Sequence, residues 1–461
     1  MKKYIGSVCI LFFLTACASA QPEVVTSKNK KAIKAYQAGN KCYNAIDQYG
    51  KKDNDCVEKN YLKAIQIDKG IMEAYMVLGQ HYVETKQYQK AIDIYKSSHE
   101  VNPEYYILSW FFRAQLELKV GKYEEAYASI GRFYSFNRVT DEIKVESDQL
   151  KANCEFAIDA MKHPLKFEPK NLGAGVNTKF PEYFPTITGD DQMLLFTRRI
   201  DDDKAMDGMQ EDFYYSMNAE GTWNRAISIS NKINTTYNEG APSLSSDGRI
   251  LIFTACSMID NGDYGENRTG YGSCDLFYCE KVGTEWSRPV NMGSQINSYH
   301  WETQPSFSAD GKTVYYIRGV VRRGGNHSGD IVYSTLDENG IWSKPQRLPD
   351  YINTTNDECS VMIHPDGQTL YFSSNGHIGM GGFDLYVCRK QSDGTWGKPL
   401  NLGYPLNTHN DENSLLVSSN GQIAFFASDR SGGYGELDLY SFPLDKSIQP
   451  VATTYMKGKV Y

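Results

Sequence analysis

The sequence predicts a multidomain protein: an N-terminal α-helical repeat array, then an all-β five-bladed propeller closed by an outer strand from its own N-terminal end. Three observations predict this. A helical pattern with a period of about 34 residues runs through residues 31–165. A unit of about 55 residues recurs five times between 166 and 445, and the opening of that second region matches the piece its last unit lacks.

The first residues carry a targeting signal. Lys2 and Lys3 precede an apolar stretch over 4–14, too short to span a bilayer, and the stretch ends in Leu14-Thr15-Ala16-Cys17. This resembles the lipobox of bacterial lipoproteins, which implies a signal peptide over 1–16, an acylated Cys17 and a linker over 17–30. An ordinary secretory signal cleaved after Ala18–Ala20 is the alternative. The resemblance also implies an address, since Ala18 is not the acidic residue tied to inner-membrane retention and no acidic cluster follows Cys17. The protein is expected on the outer membrane, lipid-anchored, on the periplasmic side.

Charge and cysteine usage narrow the partners. The chain of 461 residues has a net charge of -8 and no basic run after its first three residues, which argues against nucleic-acid binding. Setting aside Cys9 and Cys17, eight cysteines remain, an even number for a chain bound for an oxidising space. Cys42 and Cys56 flank a polar loop and are one candidate disulfide. Cys256 and Cys274 sit at facing ends of two successive strands and are the other. With no CxxC and no histidine at ligand spacing, a zinc site is not expected, and no cofactor is implied.

Within residues 31–165, Tyr75, Leu78, Gly79, Tyr82, Tyr88, Ala91, Tyr95 and Pro103 fall at the offsets of the tetratricopeptide pattern. Small residues at Gly79 and Ala91 let two helices approach, large ones fill between them, and Pro103 ends the second helix. Trp110, Ala114, Tyr123 and Ala126 repeat the pattern more weakly, and a helix near 141–162 is expected to cap the array.

The β region is read from its landmarks. "SSDGRILIF" (245–253), "SADGKTVYY" (308–316), "HPDGQTLYF" (364–372) and "SSNGQIAFF" (418–426) each place a turn before alternating apolar residues, and "TGDDQMLLF" (188–196) is a degenerate fifth. Asp212, Asp275, Asp330, Asp384 and Asp438 open the next strand, Trp223, Trp286, Trp342 and Trp396 the one after, and Asn177, Asn234, Asn297, Asn353 and Asn407 end each connection. Four short antiparallel strands per unit at this period make a β-propeller. The fifth unit has no Trp strand, but "FEPKNLGAGVNT" (167–178) matches "GKPLNLGYPLNT" (397–408). The first segment is therefore expected to supply the outer strand of the last blade, which removes an exposed edge.

These residues resemble the WD40-like repeats of Bacteroidetes envelope lipoproteins, of which the PorE-type, OmpA-family accessory proteins of the type IX secretion system are relatives. The match covers 1–445. Residues 446–461, with "VATTYMKGKVY", resemble the first strand of the β-sandwich that follows in that family, or a tail; the resemblance implies either a truncated version of a longer protein or a short paralogue, with peptidoglycan binding expected only if a C-terminal OmpA-like domain exists in a longer form. The resemblance implies a non-catalytic periplasmic scaffold or adaptor, with protein partners in the envelope, secretion-machinery subunits among them.

The alternative is a carbohydrate-active or glycan-binding propeller, which places carboxylates from several blades around its channel. Glu239, Glu302, Glu358 and Glu412, each shortly after a landmark Asn, are the acidic candidates. Their recurrence at equivalent positions predicts a structural role, since catalytic residues break a repeat's symmetry. No catalytic residue is therefore assigned. The "S-x-D-G" turns read as hairpin turns rather than sialidase Asp-boxes, and "DNGDYGE" (260–266) reads as a solvated loop rather than a calcium site.

Overall fold

The computed structural model describes residues 25–47, 50–203, 208–257, 264–265, 268–321 and 327–456. Cys17 and most of the 260–266 loop lie outside the described residues. The chain divides into two units between Lys162 and His163.

The first unit is helical, with helices at Lys30–Asn44, Asn54–Ile67, Met72–Glu84, Tyr88–Val101, Leu108–Lys119, Tyr123–Ser135 and Asp141–Lys162. Each packs mainly on the next in sequence. Gly79 shows why small residues sit where they do: a Cβ there would lie 2.7 Å from the Tyr95 ring, and one at Gly39 2.8 Å from the Tyr61 ring. Asn29 caps the first helix by accepting from the Lys31 and Ala32 amides. Cys42 and Cys56 are joined across the polar loop.

The second unit is a five-bladed β-propeller. Its inner strands are Glu182–Ile187, Glu239–Leu244, Glu302–Phe307, Glu358–Ile363 and Leu416–Val417. Each pairs antiparallel with the next strand, opening at Met193, Ile250, Thr313, Thr369 or Ile423, and that with a third, opening at Met209, Cys274, His327, Asp384 or Asp438. The outermost strands are two-residue segments. That of the fifth blade is Lys170–Asn171, paired antiparallel with Ser441 and Tyr440. Cys256 and Cys274 face each other across the second blade and are bonded.

Two side-chain devices recur. At the inner hairpins, Ser245, Ser308 and Ser418 donate to the side chain two residues on and accept an amide five residues on, while glycines at 248, 311, 367 and 421 take φ between +65° and +74°. The landmark asparagines clamp the third strands. Asn177, Asn234, Asn297, Asn353 and Asn407 each accept from the amide of Leu439, Phe213, Leu276, Ile331 or Leu385, at 2.8–3.0 Å. Each returns its own amide to the carbonyl of that same residue at 2.9 Å.

Residues 446–456 form no strand. They lie along the hairpin turns: Tyr371 Oη donates to the Ile448 carbonyl (2.6 Å), the Val451 amide to Asp366 Oδ2 (3.0 Å), and the Thr453 amide and hydroxyl to the Ser419 carbonyl. Turn groups, rather than a sheet partner, satisfy this backbone.

Candidate functional site at the inner strands

Each blade begins with a glutamate five residues after its landmark asparagine. The first of the five, Glu182, is hidden in the degenerate first unit and escapes sequence reasoning. Glu182, Glu239, Glu302, Glu358 and Glu412 all accept the amide and the hydroxyl of the Thr or Ser four residues earlier. A further donor joins four of them: Arg198 on Glu182 (2.7 Å), Arg268 on Glu239 (2.5 Å), Arg318 on Glu302 (2.9 Å) and Ser374 on Glu358 (2.8 Å). These four are fully buried clasps that hold the entry of the inner strand.

Glu412 departs from the pattern. It is less buried than the other four, and among the described residues only Thr408 donates to it. The residue that could take the arginine role, Arg430, instead lies over the rings of Phe167, Phe426 and Tyr440. Burial pushes the Glu412 carboxyl up to about 7, and the neighbouring Asp411 charge adds to the effect. Asp384, at the head of the adjacent third strand, is held well above the usual carboxylate range by burial and by Glu412. Phe383 ties these groups together: its carbonyl accepts the Glu412 amide (2.7 Å) and its amide donates to Asp411 Oδ1 (3.1 Å).

A second break in symmetry lies at the junction of the first and second blades. Tyr183, second in its inner strand, donates its hydroxyl to Glu211 Oε1 at 2.8 Å. Glu211 precedes the landmark Asp212, a position held in the other blades by Cys274, Gly329, Phe383 and Leu437. Room for it comes from Gly240, where a Cβ would stand 2.9 Å from Glu211 Oε2. Burial first, and Glu211 second, raise the Tyr183 phenol well above its ordinary value, so it remains a donor. Neither residue recurs, and a reading built on recurrence had no signal with which to find them.

The other landmark aspartates are structural. Asp275, Asp384 and Asp438 accept loop amides three or four residues earlier, and Asp330 binds Arg347 at 2.5 Å. Asp212 accepts from Gln210, and burial lifts it to about 6.

Just past the first residues of the inner strands, four blades bulge at a residue with positive φ, Phe184 (49°), Ala241 (51°), Gln304 (52°) and Ser360 (51°), and in the fifth blade Ser414 (60°), ahead of the strand Leu416–Val417, takes the same conformation. The bulges surround an axial cavity of about 90 Å³ that reaches the hairpin-turn residues Gly189, Ser246, Ala309, Pro365 and Ser419.

No family model and no curated protein matches the chain. Solved structures that match include the catalytic domain of Coprinopsis cinerea GH62 α-L-arabinofuranosidase, at 10% identity over 60% of this chain and 97% of that one, with a TM-score of 0.38. A GH43 endo-arabinanase from Bacillus licheniformis matches at 14% identity over 60% of this chain and 99% of that one, with a TM-score of 0.37. A Trypanosoma rangeli sialidase in complex with the inhibitor DANA matches at 11% identity over 59% of each chain, with a TM-score of 0.34. The matched structures are named as glycosidases and a sialidase, against the expectation of a non-catalytic scaffold without enzymatic activity. At this level of similarity no substrate and no residue role is transferred from them. That expectation came from the family resemblance and from reading the recurrent glutamates as structural; four of them are buried clasps, Glu412 departs from the pattern, and Glu211 was not named.

Proposed function

We propose that the propeller is carbohydrate-active and handles a glycoside at the inner ends of its blades. The observation that carries this reading is the Tyr183–Glu211 pair, a non-recurring carboxylate and hydroxyl set at the inner strands in space left by Gly240. Glu211 serves as nucleophile or base, oriented by the Tyr183 hydroxyl. Glu412, in the fifth blade and with its carboxyl lifted to about 7, is taken as the group that supplies the proton a leaving alcohol needs near neutrality. Two carboxylates of different proton affinity are the minimum set for glycoside cleavage.

The test is turnover of a panel of nitrophenyl pyranosides and furanosides by the purified protein. Turnover reduced by a factor of about 100 or more in Glu211→Gln, and a shifted acid–base profile in Glu412→Gln, are expected. Equal turnover in parent and Glu211→Gln overturns the assignment.

The same proposal takes the helix pairs as tetratricopeptide-like, supported by the close approach of Tyr95 to Gly79, and takes Lys170–Asn171 as the strand that closes the ring, supported by its pairing with the last blade. Placement on the periplasmic side of the outer membrane through Cys17 rests on the lipobox resemblance.

A further inference from the structure

The first helix of the helical unit, Lys30–Asn44, carries an inference of its own. Between Glu23 and Asp47 the sequence places lysines at 28, 30, 31, 34 and 41 and no Asp or Glu, in a chain whose net charge is -8. Counting basic runs passes over them; helical geometry gathers them. Positions 30, 34 and 41 stand at i, i+4 and i+11, so they share one stripe of the helix about 16 Å long, with Lys31 beside it and Lys28 just ahead of the Asn29 cap. All five are exposed, while Ala32, Ala35, Tyr36 and Gly39 turn the opposite side into the core. Among the described residues none of the five has a carboxylate partner, whereas Lys52 and Lys90 in the same unit pair with Glu84 and Glu58. Their placement works against the helix. Lys30 and Lys31 occupy the first turn, at the positive end of the helix dipole, where the helices opening at Asn54, Met72, Tyr123 and Asp141 each carry an acidic residue. Cations at that end do nothing for the fold; an anion met from outside compensates them.

The segment ahead of the helix is fastened to the same unit. The Thr26 amide donates to Glu73 Oε1 at 3.0 Å, its hydroxyl to the Gly70 carbonyl at 2.6 Å, and the Ser27 hydroxyl to Asp68. These bonds also occupy Asp68 and Glu73, acids that lie beside the start of the helix. Thr26 follows Cys17 by nine residues, a span of at most about 30 Å, so an acyl group at Cys17 keeps the basic turn at a bilayer surface. The shape of the patch selects its partner. Exposed ammonium groups spread along a helix stripe suit a plane of repeated phosphates rather than one enclosed anion, and a chain of net charge -8 repels a long polyanion. We propose that the basic stripe of the first helix is a membrane-docking surface, whose lysines bind the phosphates of anionic lipid headgroups and lay the helical unit on the bilayer. Each lysine near such a surface strengthens association about fivefold at low salt. The inference rests on the Cys17 reading for which surface is met, and on the helix alone for the patch.

The experiment is cosedimentation of the chain from residue 18 onward, free of signal and acyl group, with phosphatidylcholine vesicles containing about one-third phosphatidylglycerol or none, at about 50 mM and about 500 mM salt. Partition at least about tenfold stronger on the anionic vesicles, and lost at high salt, is expected. The triple variant Lys30→Gln, Lys31→Gln, Lys34→Gln should weaken it at least about 20-fold, while its thermal midpoint stays level or rises because the helix dipole is relieved. Lys30→Arg, Lys31→Arg and Lys34→Arg together should bind like the parent. The same loss of charge at Lys312, Lys398 and Lys446 of the propeller should leave partition within about twofold. Equal partition on both vesicle types, a Gln triple that binds like the parent, or a propeller triple that loses as much each overturns the proposal. So does displacement from the vesicles by inorganic phosphate or a duplex oligonucleotide at matched ionic strength. Fatty-acid labelling of Cys17 is a separate measurement: vesicle binding without labelling keeps the docking surface and removes the anchor, and labelling without vesicle binding does the reverse.

Discussion

A single buried glutamate shows how this molecule manages charge. Glu358 is 1% exposed, accepts from the Thr354 amide, the Thr354 hydroxyl and Ser374 Oγ at 2.8–2.9 Å, and is lifted by burial to about 7. Glu239, though paired with Arg268, is lifted likewise to about 7, and so is Glu412. A carboxyl whose proton is held more tightly in the folded chain than in the unfolded one favours folding at low pH. Its contribution is lost as pH rises from the unfolded value, about 4.3, through the folded value. Three such groups act together, so the thermal midpoint is expected to fall between pH 5.5 and pH 8. Gln at position 358 mimics the protonated acid, and Glu358→Gln should show a smaller fall. Differential scanning calorimetry at the two pH values decides; a midpoint that climbs across this window would show that the clasps are ionised and stabilising throughout.

The elements are assembled by a few repeated side-chain devices. Asn297 binds both the amide and the carbonyl of Leu276 and also donates to Asn291 Oδ1, so Asn297→Ala orphans buried backbone groups on a central strand. A loss of at least about 1–3 kcal/mol by chemical denaturation is expected, against little change for an exposed asparagine such as Asn339. In the helical unit Gly79→Ala drives a methyl into the Tyr95 ring and should cost about 1–3 kcal/mol; a neutral result would mean that the helices separate freely. Devices of this kind were legible in the sequence because they recur: five asparagines, five aspartates and four turns in step gave blade number, strand order and hairpin positions. What recurs once, or not at all, was not legible. Tyr183 and Glu211 are 28 residues apart and meet only because the second strand of the first blade lies between them. Sequence periodicity reports the scaffold, and by the same logic it hides the groups that depart from it.

At the scale of the propeller, the question is what keeps five blades in a ring. Four inner strands are tied blade to blade by the amides of Leu244, Phe307 and Ile363, which donate to the hydroxyls of Thr186, Ser243 and Ser306, but the fifth, Leu416–Val417, is the shortest, and its blade pairs Asp438–Pro443 with Lys170–Asn171 from the start of the region. Several contacts converge there. The Leu165 amide binds the Tyr404 carbonyl, Phe167 packs 4.9 Å from Phe442 and 5.7 Å from Phe426, Asn171 donates to Asp438, and Asn177 clamps Leu439. Arg430, freed from the glutamate it would otherwise serve, stacks on the same aromatic group. Removing residues 163–173 strips the outer strand and Phe167 but leaves the Asn177 clamp and every other blade intact. If these contacts hold the ring shut, the loss exposes the edge of the third strand, Asp438–Pro443, as an unpaired row of backbone groups. Limited proteolysis should then cut first within residues 429–443, and the shortened chain should associate at concentrations where the parent stays monodisperse. Phe167→Ala is the milder control, expected to lose about 3–5 kcal/mol if its ring is fully packed and less if the site collapses around it. Should the deleted form resist protease as the parent does and elute at its own mass, the blades are held by the inner-strand hydroxyl bonds alone, and the ring needs no outer closure.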